Sequence, residues 1–300
     1  MTTMLVRCRS RPRHVPKCQD FPSHTIGGTM RLFAMRATLL FSLIACAGML
    51  SAADARLKLS TTTSTQDAGI LDVLLPSFEK RCHCHVNVIA VGTGKALKLG
   101  EAGDVDVVLV HARPLEDQFV HAGFGVNRRD VMYNDFVIIG PPDDPAHIRG
   151  VKTAADALKR IAAAQVPFIS RGDESGTHQK EMDVWRTAGL NPQGRWYRSV
   201  GQGMGETIIM ATEVRGYTIS DRGTYTKFKQ GKTDLKILFE HEAGLFNPYG
   251  VIAANPKRFP WVRYDLAMQF IDFLSGAEGQ ALIAGYRVGG EPVFFVYGRK

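Results

Sequence analysis

From Leu57 onward the chain alternates strand-like and helix-like stretches, and that alternation confines it to an α/β architecture. Leu57 to Ser60 reads as a strand, Ile70 to Phe78 carries apolar residues at helical spacing, and Val86 to Val91 reads as a second strand. A short helix is expected around Ala96 to Leu99. Val105 to Val110 is an unbroken apolar run, as in a strand covered on both faces. The pattern then changes. Val131 to Ile139 is a long strand closed by Gly140-Pro141-Pro142, and Tyr249 to Ala253 is another, far downstream, followed by a helix over Val262 to Leu274. Between them lies a second alternating unit: strand Pro167 to Ser170, helix Gln179 to Ala188, helix Thr207 to Glu213, strand Tyr217 to Ser220. One unit inserted into another predicts two lobes joined by two crossover strands. Residues 56–135 with 248–300 would form the first lobe and residues 136–247 the second.

The net charge of +8 invites a nucleic-acid reading, but seven of the 37 Lys/Arg and only two of the 29 Asp/Glu lie in residues 1–55. Beyond that segment the excess falls to +3, with no block of basic residues interleaved with aromatics to grip a phosphate backbone. The segment itself has the layout of an export signal. Arg31 and Arg36 supply the positive region, Leu39 to Leu50 a short apolar run, and Ala53-Asp54-Ala55 the small residues a signal peptidase reads. Leu43-Ile44-Ala45-Cys46 offers a second route, a lipid anchor on Cys46. Met30 and Met35 are alternative starts of translation. The mature chain is thus expected in the periplasm.

The features richest in chemistry are turns of small and hydroxyl residues, each just after a strand and just before a helix. Ser60-Thr61-Thr62-Thr63-Ser64-Thr65 precedes a helix expected from about Asp67. Gly92-Thr93-Gly94 precedes Lys95, and Ser170-Arg171-Gly172-Asp173-Glu174-Ser175-Gly176-Thr177 precedes a helix near His178. Gly201 to Gly205, before Thr207, is a fourth. A helix start leaves four backbone N–H groups unpaired and carries partial positive charge, so it holds an anion without a full cation. A lone Ser64 or Thr93 would more simply cap its helix, for about 1 kcal/mol. Arg171 alone would pair with Asp173 or Glu174. Four such turns, two in each lobe, and six hydroxyls in a row exceed what capping needs. They predict an anion enclosed between lobes, with Arg171 as its one strong cation.

Other chemistries fit less well. Gly92-Thr93-Gly94-Lys95 lacks the third glycine of a dinucleotide fingerprint, and Gly231-Lys232-Thr233 has Thr226 where a phosphate loop needs its first glycine. Ser175 stands in no G-x-S-x-G elbow, which leaves a hydrolase built on Ser175 and His178 as the enzymatic alternative. Cys82-His83-Cys84-His85 has zinc-ligand residue types but no second cluster to complete four ligands. It is expected to be a polar loop leading into a strand, without a disulfide. No cofactor or metal is expected.

At these same residues the sequence resembles the tungstate-binding proteins of bacterial ABC importers, a branch of the type II periplasmic binding proteins. The matching stretches are Thr61 to Thr65, Val91 to Leu97, Gly103 to His111, Val131 to Val137 and Ser170 to His178, in the right order. The resemblance implies a two-lobed α/β fold, with a central sheet flanked by helices in each lobe, that closes around tungstate and delivers it as a monomer to an inner-membrane permease. It assigns Thr62, Thr63, Ser64 and Thr93 as donors from the first lobe, and Arg171, Ser175, Gly176 and Thr177 from the second. Molybdate, sulfate or phosphate on the same fold is the alternative ligand. A pocket made only of donors suits a fully deprotonated tetrahedral dianion.

Overall fold

The computed structural model describes residues 55–297, so the export signal and the Cys46 anchor lie outside the described residues. Strand β1 (Ala55–Thr62) is the organising element. Leu57 and Leu59 alternate into the core, and the strand stays buried to its end at Thr62. It pairs in parallel with β2 (Cys84–Val91) on one side and β3 (Val107–Val110) on the other. Beyond β3 the sheet turns antiparallel: β9 (Phe246–Ala254) pairs with β3, and β4 (Gly125–Gly140) pairs with β9.

The sixteen residues of β4 do two jobs. Gly125 to Asp135 pair with β9, whereas Phe136 to Gly140 pair with β7 (Thr218–Asp221) and β8 (Lys236–Phe239). The strand therefore leaves one sheet and enters another at Asp135/Phe136. A small parallel pair, β5 (Phe168–Ser170) with β6 (Tyr197–Ser199), joins the second sheet through a bridge from Phe168 to Tyr217.

Helices cover both faces. Helix α1 is the short segment Thr63–Asp67 and α2 spans Leu71–Cys82; α3 is Thr93–Ala102 and α4 is Arg113–His121. In the inserted part lie α5 (Ala154–Ala164), α6 (Gly176–Thr187), α7 (Met204–Glu213) and α8 (Arg222–Phe228). Helices α9 (Tyr264–Ser275) and α10 (Ala277–Gly285) return to the first sheet. Leu57, Leu59, Phe78, Tyr249, Phe270 and Phe273 build one core against one face of that sheet, and Leu97, Val108, Phe119 and Ile252 fill the other. Phe136, Phe168, Trp185 and Tyr217 centre a separate core in the second part. Cores on both faces of the first sheet and separate cores about the second make the molecule two-lobed.

Three local expectations are corrected. The hydroxyl turn does not precede a helix at Asp67; it contains one, which starts at Thr63 and ends at Asp67. Helices α4, α5, α8 and α10, and strands β6 and β8, are not visible in the sequence as periodic segments. The Cys82-His83-Cys84-His85 segment is not a loop: Cys82 ends α2, Cys84 opens β2, and the two are joined in a disulfide. The physical reason is His83, whose left-handed backbone (φ 51°) reverses the chain between helix and strand and turns the two thiols toward each other.

Candidate functional site

The ends of β1, β2, β3 and β5 bring the turns together. Thr62 caps α1, its Oγ1 accepting from Thr65 N at 3.1 Å. Gly92 precedes α3, Ser175 caps α6 by accepting from His178 N at 3.2 Å, and Gly203 precedes α7. The turns touch across the seam. Thr93 Oγ1 accepts from Gly176 N at 3.2 Å, and Thr63 Oγ1 accepts from Arg171 Nη2 at 3.3 Å. Thr224 Oγ1 donates to Ser64 O at 3.2 Å. A Cβ on Gly92 would stand 3.4 Å from the Asp173 carbonyl oxygen, so glycine there permits a close backbone approach.

Not all of the hydroxyl run faces the seam. Ser60 Oγ donates to Ala96 O at 3.0 Å and Thr61 Oγ1 to Leu109 O at 2.7 Å, so both are occupied in holding β1 to its neighbours. Thr62 and Ser64 form a tight group with Oγ atoms 3.1 Å apart. Thr62, Ser64, Thr93, Ser175 and Thr177 are all buried, and the Thr177 hydroxyl has no hydrogen-bond partner.

Arg171 is 1 % exposed. Its Nη2 pairs with Asp173 Oδ2 at 2.5 Å, while Nε and Nη1 are buried without a partner. Leaving two cationic N–H groups unpaired costs several kcal/mol unless an acceptor meets them. Asp173 was legible as a partner of Arg171; the other acids here were not. Burial, then Glu206 and Asp221, raises Asp67 to about 6, against the pull of Arg171. Burial also raises Asp221, whose Oδ1 caps α8 by accepting from Thr224 N at 2.8 Å. Asp67 and Asp221 thus lie within electrostatic reach of Arg171, and burial shifts both toward the protonated form, which can itself donate.

Behind Arg171, Glu181 accepts from the Tyr197 hydroxyl at 2.8 Å and from Trp185 Nε1 at 3.2 Å. Burial raises this carboxyl to about 7 from an ordinary 4.5, despite those donors. The folded protein thus keeps a proton that the unfolded chain has lost. The associated stability is full below about pH 4.5 and disappears as pH rises through about 7, a change of roughly 3 kcal/mol. Glu181→Gln removes this dependence. Urea unfolding of both proteins at pH 5 and pH 8 is expected to show the variant losing about 2–3 kcal/mol less over that interval; parallel losses would place the proton elsewhere.

His111, directly after β3, closes one of the stretches that carry the family resemblance, which assigns it no role. Its Nε2 lies 3.0 Å from Ser64 Oγ and 3.1 Å from Thr62 Oγ1, and its Nδ1 3.0 Å from Asn247 Oδ1. Burial lowers its pKa to about 4, so the ring is neutral; the Asn247 bond opposes this and the charge of Arg171 adds to it. The usable signal was position: a polar residue closing a buried strand stands at the carboxyl edge where α/β lobes take ligands.

The hydrolase alternative fails on geometry. His178 Nδ1 accepts from Glu174 N at 3.1 Å, and Ser175 Oγ is bonded to the His178 backbone, not to its ring. Among the described residues no group of three or more His, Cys, Asp and Glu is placed to hold a metal ion.

The comparisons with known proteins agree with this architecture. The PBP superfamily domain matches residues 50–278. The crystal structure of the tungstate ABC transporter from Geobacter sulfurreducens is 65 % identical, with a TM-score of 0.72 over 77 % of this chain and 98 % of that one. The tungstate-binding protein TupA from Desulfovibrio alaskensis G20 is 46 % identical, with a TM-score of 0.68 over 80 % of this chain and 98 % of that one. Tungstate-binding protein TupA of Peptoclostridium acidaminophilum is 45 % identical over 230 residues, 76 % of this chain and 80 % of the relative. A two-lobed fold, helix starts gathered at one seam and this degree of identity lead to one assignment: the chain belongs to the PBP superfamily, in the TupA-type branch of periplasmic binding proteins.

Proposed function

We propose that this protein is the solute-binding component of an ABC importer, which captures tungstate between its lobes and hands it to a membrane permease. The observation that carries the reading is the buried, unpartnered donor set of Arg171 Nε, Arg171 Nη1 and Thr177 Oγ1 beside the gathered helix starts. Tungstate is the anion named for the Geobacter and Desulfovibrio proteins described above. Thr62, Thr63, Ser64 and Thr93 line the anion from one lobe, and Arg171, Ser175, Gly176 and Thr177 from the other, with the Gly176 N–H held by Thr93 Oγ1 while the seam is shut. The lobes divide at about residues 135 and 248, and closure turns on the β4 crossover and on the segment between β8 and β9.

The same reading puts the protein outside the cytoplasm. The Cys82–Cys84 disulfide fits an oxidising compartment. An N-terminal leader cut after Ala55, or a lipid on Cys46, is the proposed means of export. Calorimetric titration with tungstate, molybdate, sulfate and phosphate tests the function. Tight one-to-one binding of tungstate, with sulfate and phosphate silent, is the expected result. Preference for molybdate would change the ligand and keep the mechanism; no heat and no thermal stabilisation with any of the four would end the proposal.

Closure gives a prediction of its own. A Cβ on Gly176 would stand 3.2 Å from His111 O, 3.3 Å from Thr93 Oγ1 and 3.4 Å from Ala112 Cβ, all across the seam. Gly176→Ala should hold the lobes a few tenths of an ångström apart and weaken tungstate binding about tenfold, or ~1.4 kcal/mol. The melting temperature without anion should change little. Equal affinity in the variant would show that the seam yields freely at this point.

A further inference from the structure

We infer that His111 is a positioning residue of the anion site: it holds the Thr62 and Ser64 hydroxyls in place from an anchor on the two strands that run between the lobes. The inference rests on the anion-binding reading above. Four elements meet at this one side chain. Nε2 contacts the two hydroxyls at the α1 turn, at 3.0 and 3.1 Å. Nδ1 meets Asn247 Oδ1 on β9, and Asn247 Nδ2 donates to Asn134 Oδ1 on β4 at 2.7 Å. The ring stacks on Tyr249 of β9 with centroids 4.6 Å apart and planes at 25°, and Phe136 of β4 lies 6.3 Å away. The backbone carbonyl of His111 faces Gly176 at the start of α6.

The roles follow from hydrogen-bond inventory. Asn247 Oδ1 only accepts, so the proton of the neutral ring sits on Nδ1 and Nε2 presents a lone pair. Nε2 has one lone pair for two hydroxyls, so one of Thr62 and Ser64 gives its proton to the ring and is located by it, while the other, 3.1 Å away, keeps its proton for the anion. A hydroxyl alone would rotate freely about its Cα–Cβ bond and lose part of its value as a donor. In metal sites a partner on the far nitrogen fixes the orientation of a ligating imidazole; Asn247 fixes this ring in the same way, and the ring in turn fixes the hydroxyl it meets. Asn134 and Asn247 are paired across β4 and β9 next to the crossover at Asp135. The hydroxyl turn is therefore tied by side chains to the strands on which closure turns.

The test compares wild type with His111→Phe, His111→Gln and Asn247→Ala, reading tungstate affinity by calorimetry and folding by thermal melts. Phe keeps the stack on Tyr249 and loses both hydrogen bonds; an affinity loss of about 30- to 100-fold is expected. Gln reaches the Nε2 position with its amide and should recover most of that loss, to within about fivefold of wild type. Asn247→Ala leaves the ring in place, frees its anchor, and should weaken binding about tenfold even if the Phe variant does not fold. The inference is overturned if His111→Phe binds within threefold of wild type, if Gln is as weak as Phe while both melt normally, or if Asn247→Ala is without effect. Absence of binding by the wild type would instead remove the function on which it rests.

Discussion

Arg171→Ala raises the Kd for tungstate about 100- to 1000-fold, the largest binding loss expected from any single substitution in this protein. The side chain is 1 % exposed, and two of its N–H groups are free to meet an acceptor where water is scarce. Truncating one partner of a buried, hydrogen-bonded charge pair typically costs about 2–5 kcal/mol, and each 1.4 kcal/mol is about tenfold in affinity. The loss here has a second source. Asp173, no longer paired with Nη2, would present an uncompensated carboxylate to a dianion. Ser175→Ala should cost less than tenfold, because it removes one neutral hydroxyl and a helix cap rather than a buried cation. Arg171→Lys should fall between, since an ammonium cannot present two parallel N–H groups to two oxygens of one tetrahedral anion while a third holds Asp173. Calorimetry on the three variants decides the matter. Equal losses for Arg171→Ala and Ser175→Ala would show that the guanidinium is not the dominant contact.

For stability, the largest effect is expected from Trp185→Ala, a loss of about 3–5 kcal/mol. Trp185 is fully buried and packs edge-on against Phe168, Trp196 and Tyr197, with centroids 5.2, 5.8 and 6.1 Å away. These neighbours come from β5, β6 and the loop before β6, so they cannot collapse together to fill the space. Removing the indole also takes one donor from the buried Glu181. Trp185→Phe retains much of the apolar contact and loses only the N–H, so about 1–2 kcal/mol is expected from it. Urea unfolding measures both. A loss below about 1 kcal/mol for the alanine variant would mean that this part of the core repacks.

What the sequence made legible is what lies close together along the chain. The turn Ser170 to Thr177 carries Arg171, its partner Asp173, a helix cap and a glycine within eight residues, and the structure keeps that set together at the start of α6. The alternation of strands and helices likewise survives, and β4 carries it from pairing with β9 to pairing with β7 and β8. What was illegible depends on register between distant strands. Val110 sits opposite Gly250 in an antiparallel pair, and that pairing brings His111 to Tyr249 and Asn247. Nothing local to His111 announces it. The six hydroxyls looked equivalent in sequence, yet Ser60 and Thr61 are bound to neighbouring backbone and Thr62 and Ser64 to each other and to His111. The disulfide was missed for a related reason: two cysteines two apart would share a strand face, but one belongs to a helix and a left-handed histidine stands between them.

The hydrogen bonds from Arg171 to Thr63, Gly176 to Thr93 and Thr224 to Ser64 cross the seam at 3.2–3.3 Å. Each is worth only about 1 kcal/mol net, so the anion itself supplies much of the energy that keeps the lobes shut. Departure of the anion and opening of the lobes are then one kinetic event, and the dwell time of the cargo sets the turnover of the carrier. A substitution that strengthened the seam by two or three further bonds would raise affinity and slow unloading together. A seam of moderate strength therefore serves delivery: tight enough to hold the anion, loose enough for a permease to pull apart.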